Sequence, residues 1–180
     1  FNILNTKKDR QVMRFFLENP TTPIHLRALA KQLKISPGWL SQNLPHLVKS
    51  GLLLKEESAG GRLQLLRANR DSPVFQRLKI SLNFFSLHDS GLLDALITAY
   101  HKPECIILFG SYRRGEDTEE SDIDIAIITS FPVKKDWSSF ERKLKRNIKI
   151  IELHKKRIEP EFMNTLANGL VVYGYLDVRR

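Results

Sequence analysis

Apolar residues recur at helical spacing from the start of the chain. Val12, Phe15 and Phe16 predict an amphipathic helix over residues 7–18, which Asn19-Pro20 ends. Because residues three and four apart share one face of a helix, this pattern also predicts which face is buried. The first segment therefore has the pattern of a surface helix packed against a core.

Two further helices and a β-hairpin are predicted next. Thr22 and Pro23 are residue types that start helices, and a leucine pattern predicts a helix over about residues 23–33. After Ser36, a similar pattern predicts a third helix, which Gly51 ends. The runs LLLKEES and RLQLLRAN, separated by Ala-Gly-Gly, then predict a hairpin.

Beyond residue 70 the helical pattern continues to about residue 100, and strand patterns follow. Four short apolar runs predict strands at 105–109 (CIILF), 122–128 (DIDIAII), 147–153 (NIKIIEL) and 169–175 (GLVVYGY). Helical segments at about 134–146 and 160–168 separate the later strands. This order predicts a small mixed sheet with helices on it, so the class is α/β or α+β.

Composition narrows the class of protein. The chain has 180 residues, with 42% hydrophobic and 27% charged, which is typical of one large or two small globular domains. No apolar run reaches the roughly 18 residues of a membrane helix, so we expect no membrane association and a cytoplasmic location. A single cysteine, Cys105, excludes an internal disulfide and a cysteine-based zinc site. Because the first residue is Phe1 rather than Met, we expect upstream residues to have been removed.

Positive charge is concentrated in the first part of the chain. Residues 1–70 carry 12 Lys and Arg against four acids, whereas residues 71–180 carry 17 against 16. This asymmetry predicts two domains with different partners, the first suited to a polyanion such as nucleic acid. A solvated basic surface without a partner is the alternative.

The order of three helices and a hairpin resembles the winged helix-turn-helix family of bacteria and archaea. The stretch IHLRALAKQLKISPGWLSQNLPHLVKSGLLLKEE carries the resemblance, which covers about residues 5–69. It implies that the third helix enters the major groove of DNA, that Arg62 at the hairpin tip contacts DNA, and that a homodimer is possible. A protein-interaction role, with Trp39 packed on the hairpin, stays open as the alternative. The predicted outward side chains of the third helix are Ser36, Trp39, Ser41, Gln42, Asn43 and His46.

Two aspartates lie one residue apart in the second predicted strand. Because side chains alternate along a strand, Asp122 and Asp124 project from the same face, about 7 Å apart at Cα. Two carboxylates so close repel each other unless a cation lies between them. Mg²⁺ suits such a pair together with phosphate and water. Glu152 in the next strand is predicted to complete a set of three carboxylates.

Gly110-Ser111 directly follows the first strand of this region. Glycine lets the backbone approach a ligand closely, and the Ser111 hydroxyl and the following amides can donate to a phosphate. A phosphate-binding turn beside an acidic metal site is typical of phosphoryl or nucleotidyl transfer.

The segment LFGSYRRGEDTEESDIDIAII is similar to the nucleotidyltransferase superfamily that includes DNA polymerase beta, and very similar to its small, minimal branch. The resemblance covers about residues 90–175. That branch often has G-S-x-A-R-G, so Arg113 departs from the pattern while Gly110, Ser111, Asp122 and Asp124 keep it.

The resemblance implies a site for two Mg²⁺ ions and an NTP. Asp122, Asp124 and Glu152 would be the metal ligands and catalytic acids, although the family more often has Asp at the third position. Arg113, Lys134 and Lys135 are candidates for phosphate or acceptor contacts, with solvated surface charge as the alternative. The implied nucleotide-binding residues are Gly110, Ser111, Arg114 and Ser121.

The sequence is therefore compatible with two functions. The first is an active enzyme that moves an NMP from an NTP, expected to be ATP, to a hydroxyl of a protein or nucleic acid. Proteins of this size in the minimal branch often act with a helical partner as toxin–antitoxin pairs. The second is a DNA-binding regulator whose second domain only senses a nucleotide. The predicted organisation is a mainly α winged helix-turn-helix domain at 1–70, a helical linker at 71–88 and a nucleotidyltransferase domain at 89–180.

Overall fold

Two units, Phe1–Lys79 and Ile80–Arg180, divide the chain in the computed structural model. Arg62, predicted to contact DNA, and the predicted hairpin tip lie outside the described residues. Among the helices that are described, none has the length and apolar character needed to cross a membrane. The structure describes residues 4, 6–57, 64–155 and 158–178.

Helices and a small sheet make up the first unit. Local caps explain where two of the helices start. Thr6 Oγ1 accepts a hydrogen bond from Asp9 N at 3.0 Å, and Asp9 Oδ2 accepts one from Thr6 N at 2.8 Å. Ser36 Oγ accepts from the backbone N–H of Trp39 at 3.3 Å. The elements are α1 (Lys7–Glu18), β1 (Ile24–His25), α2 (Leu26–Leu33), α3 (Pro37–Lys49), β2 (Leu53–Glu57) and β3 (Gln64–Ala68).

The three strands of this unit form an antiparallel sheet in the order β1-β3-β2. Apolar residues from all three helices and from the strands are buried. The helix order agrees with the predicted one, and β2 and β3 pair as the predicted hairpin strands. Assignment to the winged helix-turn-helix family stays a prediction. The most deeply buried side chains include Val12, Phe16, Leu29, Leu40, Leu47, Leu52, Leu53 and Leu66.

Two helices are shorter than predicted. The second helix begins at Leu26 rather than near Pro23, because Ile24 and His25 pair with β3 and are held in strand geometry. The helix predicted over 134–146 is limited to Ser138–Leu144. For α2, the apolar residues Leu26, Leu29 and Leu33 lie inside the observed helix, and the start signals Thr22 and Pro23 were what extended the prediction.

The second unit contains the remaining strands. Helix α4 begins within the first unit and ends in the second. The elements after β3 are α4 (Pro73–Asp89), α5 (Leu92–Ala99), β4 (Cys105–Phe109), α6 (Gly110–Arg114), β5 (Ile123–Ile128), α7 (Ser138–Leu144), β6 (Ile148–Leu153), α8 (Pro160–Ala167) and β7 (Leu170–Gly174).

A mixed four-stranded sheet has the order β6-β5-β4-β7. Strand β4 pairs antiparallel with both β5 and β7, whereas β5 and β6 are parallel. The small mixed sheet predicted from the sequence is therefore confirmed. Because β5 and β6 are parallel, the chain must cross over between them, and α7 lies in that connection.

The two faces of the sheet bury different clusters. On one face, Ile123, Ile125 and Ile127 pack in a cluster that includes Leu96 and Tyr100. On the other face, Ala126 and Ile128 pack with side chains from α8 such as Leu166. Because side chains alternate along β5, Asp124 lies on the same face as Ala126 and Ile128. This alternation decides which polar residues can meet Asp124.

Candidate active site

Gly110 and Asp124 lie against each other at the end of β4. Asp124 is the Cα partner of Phe109, and Gly110 is the next residue along the chain. A Cβ atom at Gly110 would overlap Asp124 Oδ2 and lie 3.1 Å from its Cγ. The Gly-Ser turn and the Asp pair, predicted from separate parts of the sequence, therefore meet at one point.

Gly110 also has a backbone conformation that favours glycine. Its φ is +73°, in the left-handed region. Gly110 begins α6, a short helix that ends at Arg114 and is followed by Gly115 with φ +69°. The first N–H groups of a helix have no acceptor within it. These groups, with Ser111, are the donors that the sequence predicted for phosphate.

Lys149 and Asn147 contact Asp122, and neither was among the site residues predicted from the sequence. Lys149 is the Cα partner of Asp124 in the parallel β5–β6 ladder. Lys149 Nζ forms an ion pair with Asp122 Oδ2, and Asn147 Nδ2 donates to Asp122 Oδ1 at 3.2 Å. The alternation of residues in NIKIIEL could have indicated the position of Lys149. In a strand, it places the Lys149 side chain on the face opposite Ile148 and Ile150.

Glu152 does not join the aspartates, which corrects the predicted three-carboxylate site. It is the Cα partner of Ile127 and so lies on the face opposite Asp124. Its Oε1 accepts hydrogen bonds from Tyr100 OH at 2.6 Å and from Val133 N at 2.8 Å. Glu152 therefore tethers the segment after β5 to Tyr100, and the sheet separates it from the site.

The surroundings shift the pKa values of the two aspartates in opposite directions. The hydrogen bond from Lys149, together with that from Asn147, lowers the pKa of Asp122. Burial raises the pKa of Asp124, although the nearby Lys149 charge opposes this effect. The hydrogen bond to Asp122 in turn raises the pKa of Lys149, which stays protonated at neutral pH.

We expect the two carboxyl groups to titrate separately in metal-free protein. Asp124 should lose its proton above the usual aspartate range and Asp122 below it, and Lys149→Met should raise both pKa values. The ion pair between Asp122 and Lys149 therefore stabilises the folded state at pH values above the unfolded-state pKa of Asp122. This contribution is lost as the pH falls through the lower pKa that Asp122 has in the folded state. Carboxyl ¹³C NMR titration measures both groups, and an unchanged Asp122 pKa in Lys149→Met would contradict the ion pair.

A buried polar cluster holds the loop between α6 and β5. Asp117 is 1% exposed and accepts a hydrogen bond from Asn83 Nδ2 at 2.7 Å. The same Asn83 amide donates to the Tyr112 carbonyl at 2.8 Å, and Arg146 NH2 lies 3.8 Å from Asp117 Oδ2. Arg146 NH1 also donates to the Glu119 carbonyl at 2.7 Å. The cluster thus joins α4, α6, the loop and the segment before β6.

The other predicted nucleotide contacts lie around this loop. Arg114 forms an exposed ion pair with Glu116, with Nε and Oε2 2.7 Å apart. Ser121 Oγ accepts from the backbone N–H of Thr118 at 2.9 Å, which shapes the turn before Asp122. Arg113 is half-buried, and Lys134 and Lys135 are exposed after β5. Direct contact of any of these residues with nucleotide stays a prediction.

A cavity of about 340 Å³ is lined by polar residues of the loop before β5, of α7 and of the segment before β6, and neither Asp122 nor Asp124 lines it. Ser121 and Asn147 are among its lining residues. Ser121 precedes Asp122 in the chain, and Asn147 donates a hydrogen bond to Asp122. Acidic and basic side chains of α7 and the loop form the rest of its wall. Because Phe140 and Leu144 pack on the cluster that contains Ile125, α7, which forms one wall of this cavity, lies on the face of the sheet opposite Asp124. Its other lining residues are Glu119, Glu120, Ser138, Glu141, Arg142, Lys145 and Arg146.

The residues present fit one Mg²⁺ ion better than two. Asp122 and Asp124 supply two carboxylates at the Gly110 turn, which suits an ion that takes one or two carboxylates together with substrate phosphates. Among the described residues, no group of three or more His, Cys, Asp or Glu side chains could hold a metal. With Glu152 on the other face, the three-carboxylate set expected for two ions is not assembled.

Helix α3 presents only some of the residues predicted to contact DNA. Ser41 and Gln42 are exposed, and Ser36 is exposed with its hydroxyl capping the helix. Asn43 Nδ2 donates to the Trp39 carbonyl at 2.8 Å, so its amide is partly engaged within the helix.

His46 and Trp39 are each half-buried, and their contact with DNA stays a prediction. His46 Nε2 is buried and lies 3.5 Å from Asp9 Oδ1, so this nitrogen faces the interior and cannot contact a base. Trp39 is half-buried, with Lys8 Nζ 5.2 Å from its ring centroid. Of the predicted DNA-contacting residues within α3, Ser41 and Gln42 are therefore the exposed ones.

Comparison with known proteins supports the class of domain predicted for the second unit. The family described as "Nucleotidyltransferase domain" matches residues 91–171. This match supports a nucleotidyltransferase domain in that segment and, in general terms, a transferase activity. No curated protein matches the chain. The match does not reach the first unit, where the winged-helix family and DNA contact stay predictions.

One similar solved structure is described as "Possible transcriptional regulator from Methanosarcina mazei Go1". It is 27% identical, and the similarity covers 53% of this chain and 81% of that chain with a TM-score of 0.37. A TM-score this low supports no inference about fold or function.

Proposed function

We propose that the second unit is a Mg²⁺-dependent nucleotidyltransferase that moves an NMP from an NTP, with ATP as the first candidate, to a hydroxyl of a protein or nucleic acid. The observation that carries the proposal is the contact between Gly110 and the Asp124 carboxylate. It brings phosphate donors and metal-binding acids together, as transfer from a triphosphate requires. The family match over residues 91–171 supports the same class of reaction.

Each group in this site has a proposed role. The Ser111 hydroxyl and the backbone N–H groups that begin α6 bind the terminal phosphates of the NTP. Asp122 and Asp124 hold the cation, which when bound supplies charge neutralisation on the phosphate oxygens. Asn147 and Lys149 orient the Asp122 carboxylate through the contacts described above.

The reaction is a displacement at the α-phosphorus. The acceptor oxygen forms a bond to that phosphorus, the bond to the β-phosphate bridging oxygen breaks, and pyrophosphate leaves. The hydroxyl proton passes to solvent, because Glu152, the predicted general base, lies on the other face of the sheet.

The assay that tests this proposal uses two labels. Label from [α-³²P]ATP should transfer to an acceptor protein or RNA in the presence of Mg²⁺, whereas label from [γ-³²P]ATP should not. We expect Asp122→Asn/Asp124→Asn to lower transfer by at least about 100-fold, since both metal ligands are lost.

The matched control is Asp94→Asn, which changes an exposed aspartate in the first turn of α5. It should transfer label at the wild-type rate. Transfer that survives the double substitution would show that the chemistry occurs elsewhere.

Lys149 favours a second candidate function, a regulator that binds nucleotide without transferring it. A lysine, rather than a third acid, is beside the Asp pair. In that case the protein would bind ATP with Mg²⁺, transfer no label, and change its affinity for DNA when nucleotide binds. The same labelled-ATP experiment separates the two functions.

The first unit is proposed to bind DNA through α3. We expect Gln42→Ala to weaken binding to a selected DNA site by roughly 1–3 kcal/mol, because an exposed glutamine can pair with adenine. His46→Ala should not remove a base contact, since His46 Nε2 faces Asp9.

Fluorescence anisotropy at several salt concentrations measures both variants, and Arg62→Ala should reduce the salt dependence. Absent or salt-insensitive DNA binding would favour a protein-interaction module.

A further inference from the structure

Lys149 occupies the position beside Asp124 where a third metal-binding carboxylate was expected. Strands β5 and β6 are parallel, and their register makes Lys149 the direct partner of Asp124. Directly paired residues of a ladder project from the same face of the sheet, so the lysine and the aspartate share one face. The ion pair between Lys149 Nζ and Asp122 Oδ2 confirms this orientation.

The acid nearest in β6 cannot take the place of Lys149. Glu152 lies three residues further along the strand, on the opposite face, with its Oε1 held by Tyr100 OH and Val133 N. A shift of β6 by one residue would exchange the faces of all its side chains and expose Ile148 and Ile150, which now pack on the apolar cluster. The packing of these isoleucines therefore keeps the Lys149 side chain on the same face of the sheet as Asp124.

This position of Lys149 changes the charge that the site can accept. Two carboxylates and one ammonium carry a net charge of −1, whereas three carboxylates would carry −3. A second divalent cation would be added next to an ammonium group that already pairs with Asp122. Like charges at such short range repel strongly where water is partly excluded.

We propose that this nucleotide site holds one divalent cation rather than two, and that the Lys149 ammonium supplies the second positive charge facing the phosphates. The inference rests on the proposed function, because it assumes that a nucleoside triphosphate binds at Asp122 and Asp124. Lys149 thereby binds phosphate oxygens as a fixed charge that needs no metal.

The experiment counts bound metal in the full chain with Mn²⁺ as the probe. The protein is saturated with a non-hydrolysable ATP analogue that has a methylene between the α- and β-phosphates. Free Mn²⁺ is measured by electron paramagnetic resonance, so transfer activity plays no part in the reading. We expect one Mn²⁺ per wild-type chain and two per Lys149→Asp chain, since the substitution restores a third carboxylate.

Two further variants make the count interpretable. Lys149→Met removes the charge without adding a ligand, and it should still bind one Mn²⁺ while the affinity for the analogue falls at least tenfold. Lys102→Asp is the matched control, because it makes the same charge change before the start of β4, at the end of that strand away from Phe109 and Asp124. It should bind one Mn²⁺ with wild-type affinity for the analogue. Far-UV circular dichroism confirms that each variant is folded.

Each outcome bears on the inference. Two Mn²⁺ in wild type would overturn it while leaving the proposed function intact. No bound Mn²⁺ and no bound analogue would overturn both proposals. One Mn²⁺ in both wild type and folded Lys149→Asp would overturn the role of Lys149, as would an unchanged analogue affinity in Lys149→Met. A count of one in wild type without label transfer would support the inference and reject only the enzymatic proposal.

Discussion

Gly110→Ala should weaken binding of Mg²⁺ and nucleotide by at least about tenfold, because the Asp124 carboxylate would be displaced and a hydrogen bond to a charged group contributes roughly 1.5–3 kcal/mol. The new methyl group would overlap Asp124 Oδ2 and lie 3.1 Å from Cγ. Either the carboxylate or the turn must move, and both belong to the proposed site. Alanine would also have to adopt the φ of +73°, which costs roughly 1–2 kcal/mol of stability.

Gly91→Ala separates backbone strain from displacement of the carboxylate. Gly91 has a similar φ of +78°, but a Cβ atom there would meet nothing within 4 Å. We expect this control to lose a comparable amount of stability, roughly 1–2 kcal/mol, and to bind nucleotide as wild type does. Urea unfolding measures stability, and isothermal titration calorimetry measures binding. Equal nucleotide affinity in the two variants would show that contact with Asp124 is unimportant.

Asp117→Leu should be among the most destabilising single substitutions in the second unit, at about 3–5 kcal/mol. Asp117 is 1% exposed, and the Arg146 side chain beside it is 11% exposed. Removing the carboxylate leaves a nearly buried guanidinium without this counter-charge and takes away the acceptor of Asn83 Nδ2. The loop that leads to Asp122 would lose its attachment to α4.

A double-mutant cycle distinguishes an ion pair from simple packing. In Asp117→Leu/Arg146→Met, both charges are absent, so we expect much of the lost stability to return. The measurement is the midpoint and slope of urea unfolding for wild type, both single variants and the double variant. Strict additivity of the single effects would show that Asp117 and Arg146 do not interact.

Several features of the site were predictable because they depend on short stretches of chain. The strand alternation in DIDIAII places Asp122 and Asp124 on one face, and the structure keeps Ile123 and Ile125 buried on the other. The Ser36 cap was likewise readable, since its partner is the N–H of Trp39 only three residues away. Gly110 was recognisable as a special position, and its positive φ agrees.

The burial of His46 Nε2 could not be read from helix periodicity. Spacing on α3 favoured an outward side chain, but packing of α1 brings the buried carboxylate of Asp9 to 3.5 Å from its Nε2. Similarly, Ile24 and His25 have a pattern compatible with a helix, yet pairing with β3 makes them a strand. Contacts with distant segments outweighed local preference in both cases.

The sequence by itself determined that two carboxylates share one face of a strand and that a Gly-Ser turn follows the strand before it. Both depend on the period of a strand and on neighbouring residues. Only the tertiary structure decided that Lys149, not Glu152, completes their surroundings. Because parallel strands are joined by a long crossover rather than a tight turn, no local signal sets their register. Burial of Ile148 and Ile150 against the apolar cluster sets it instead.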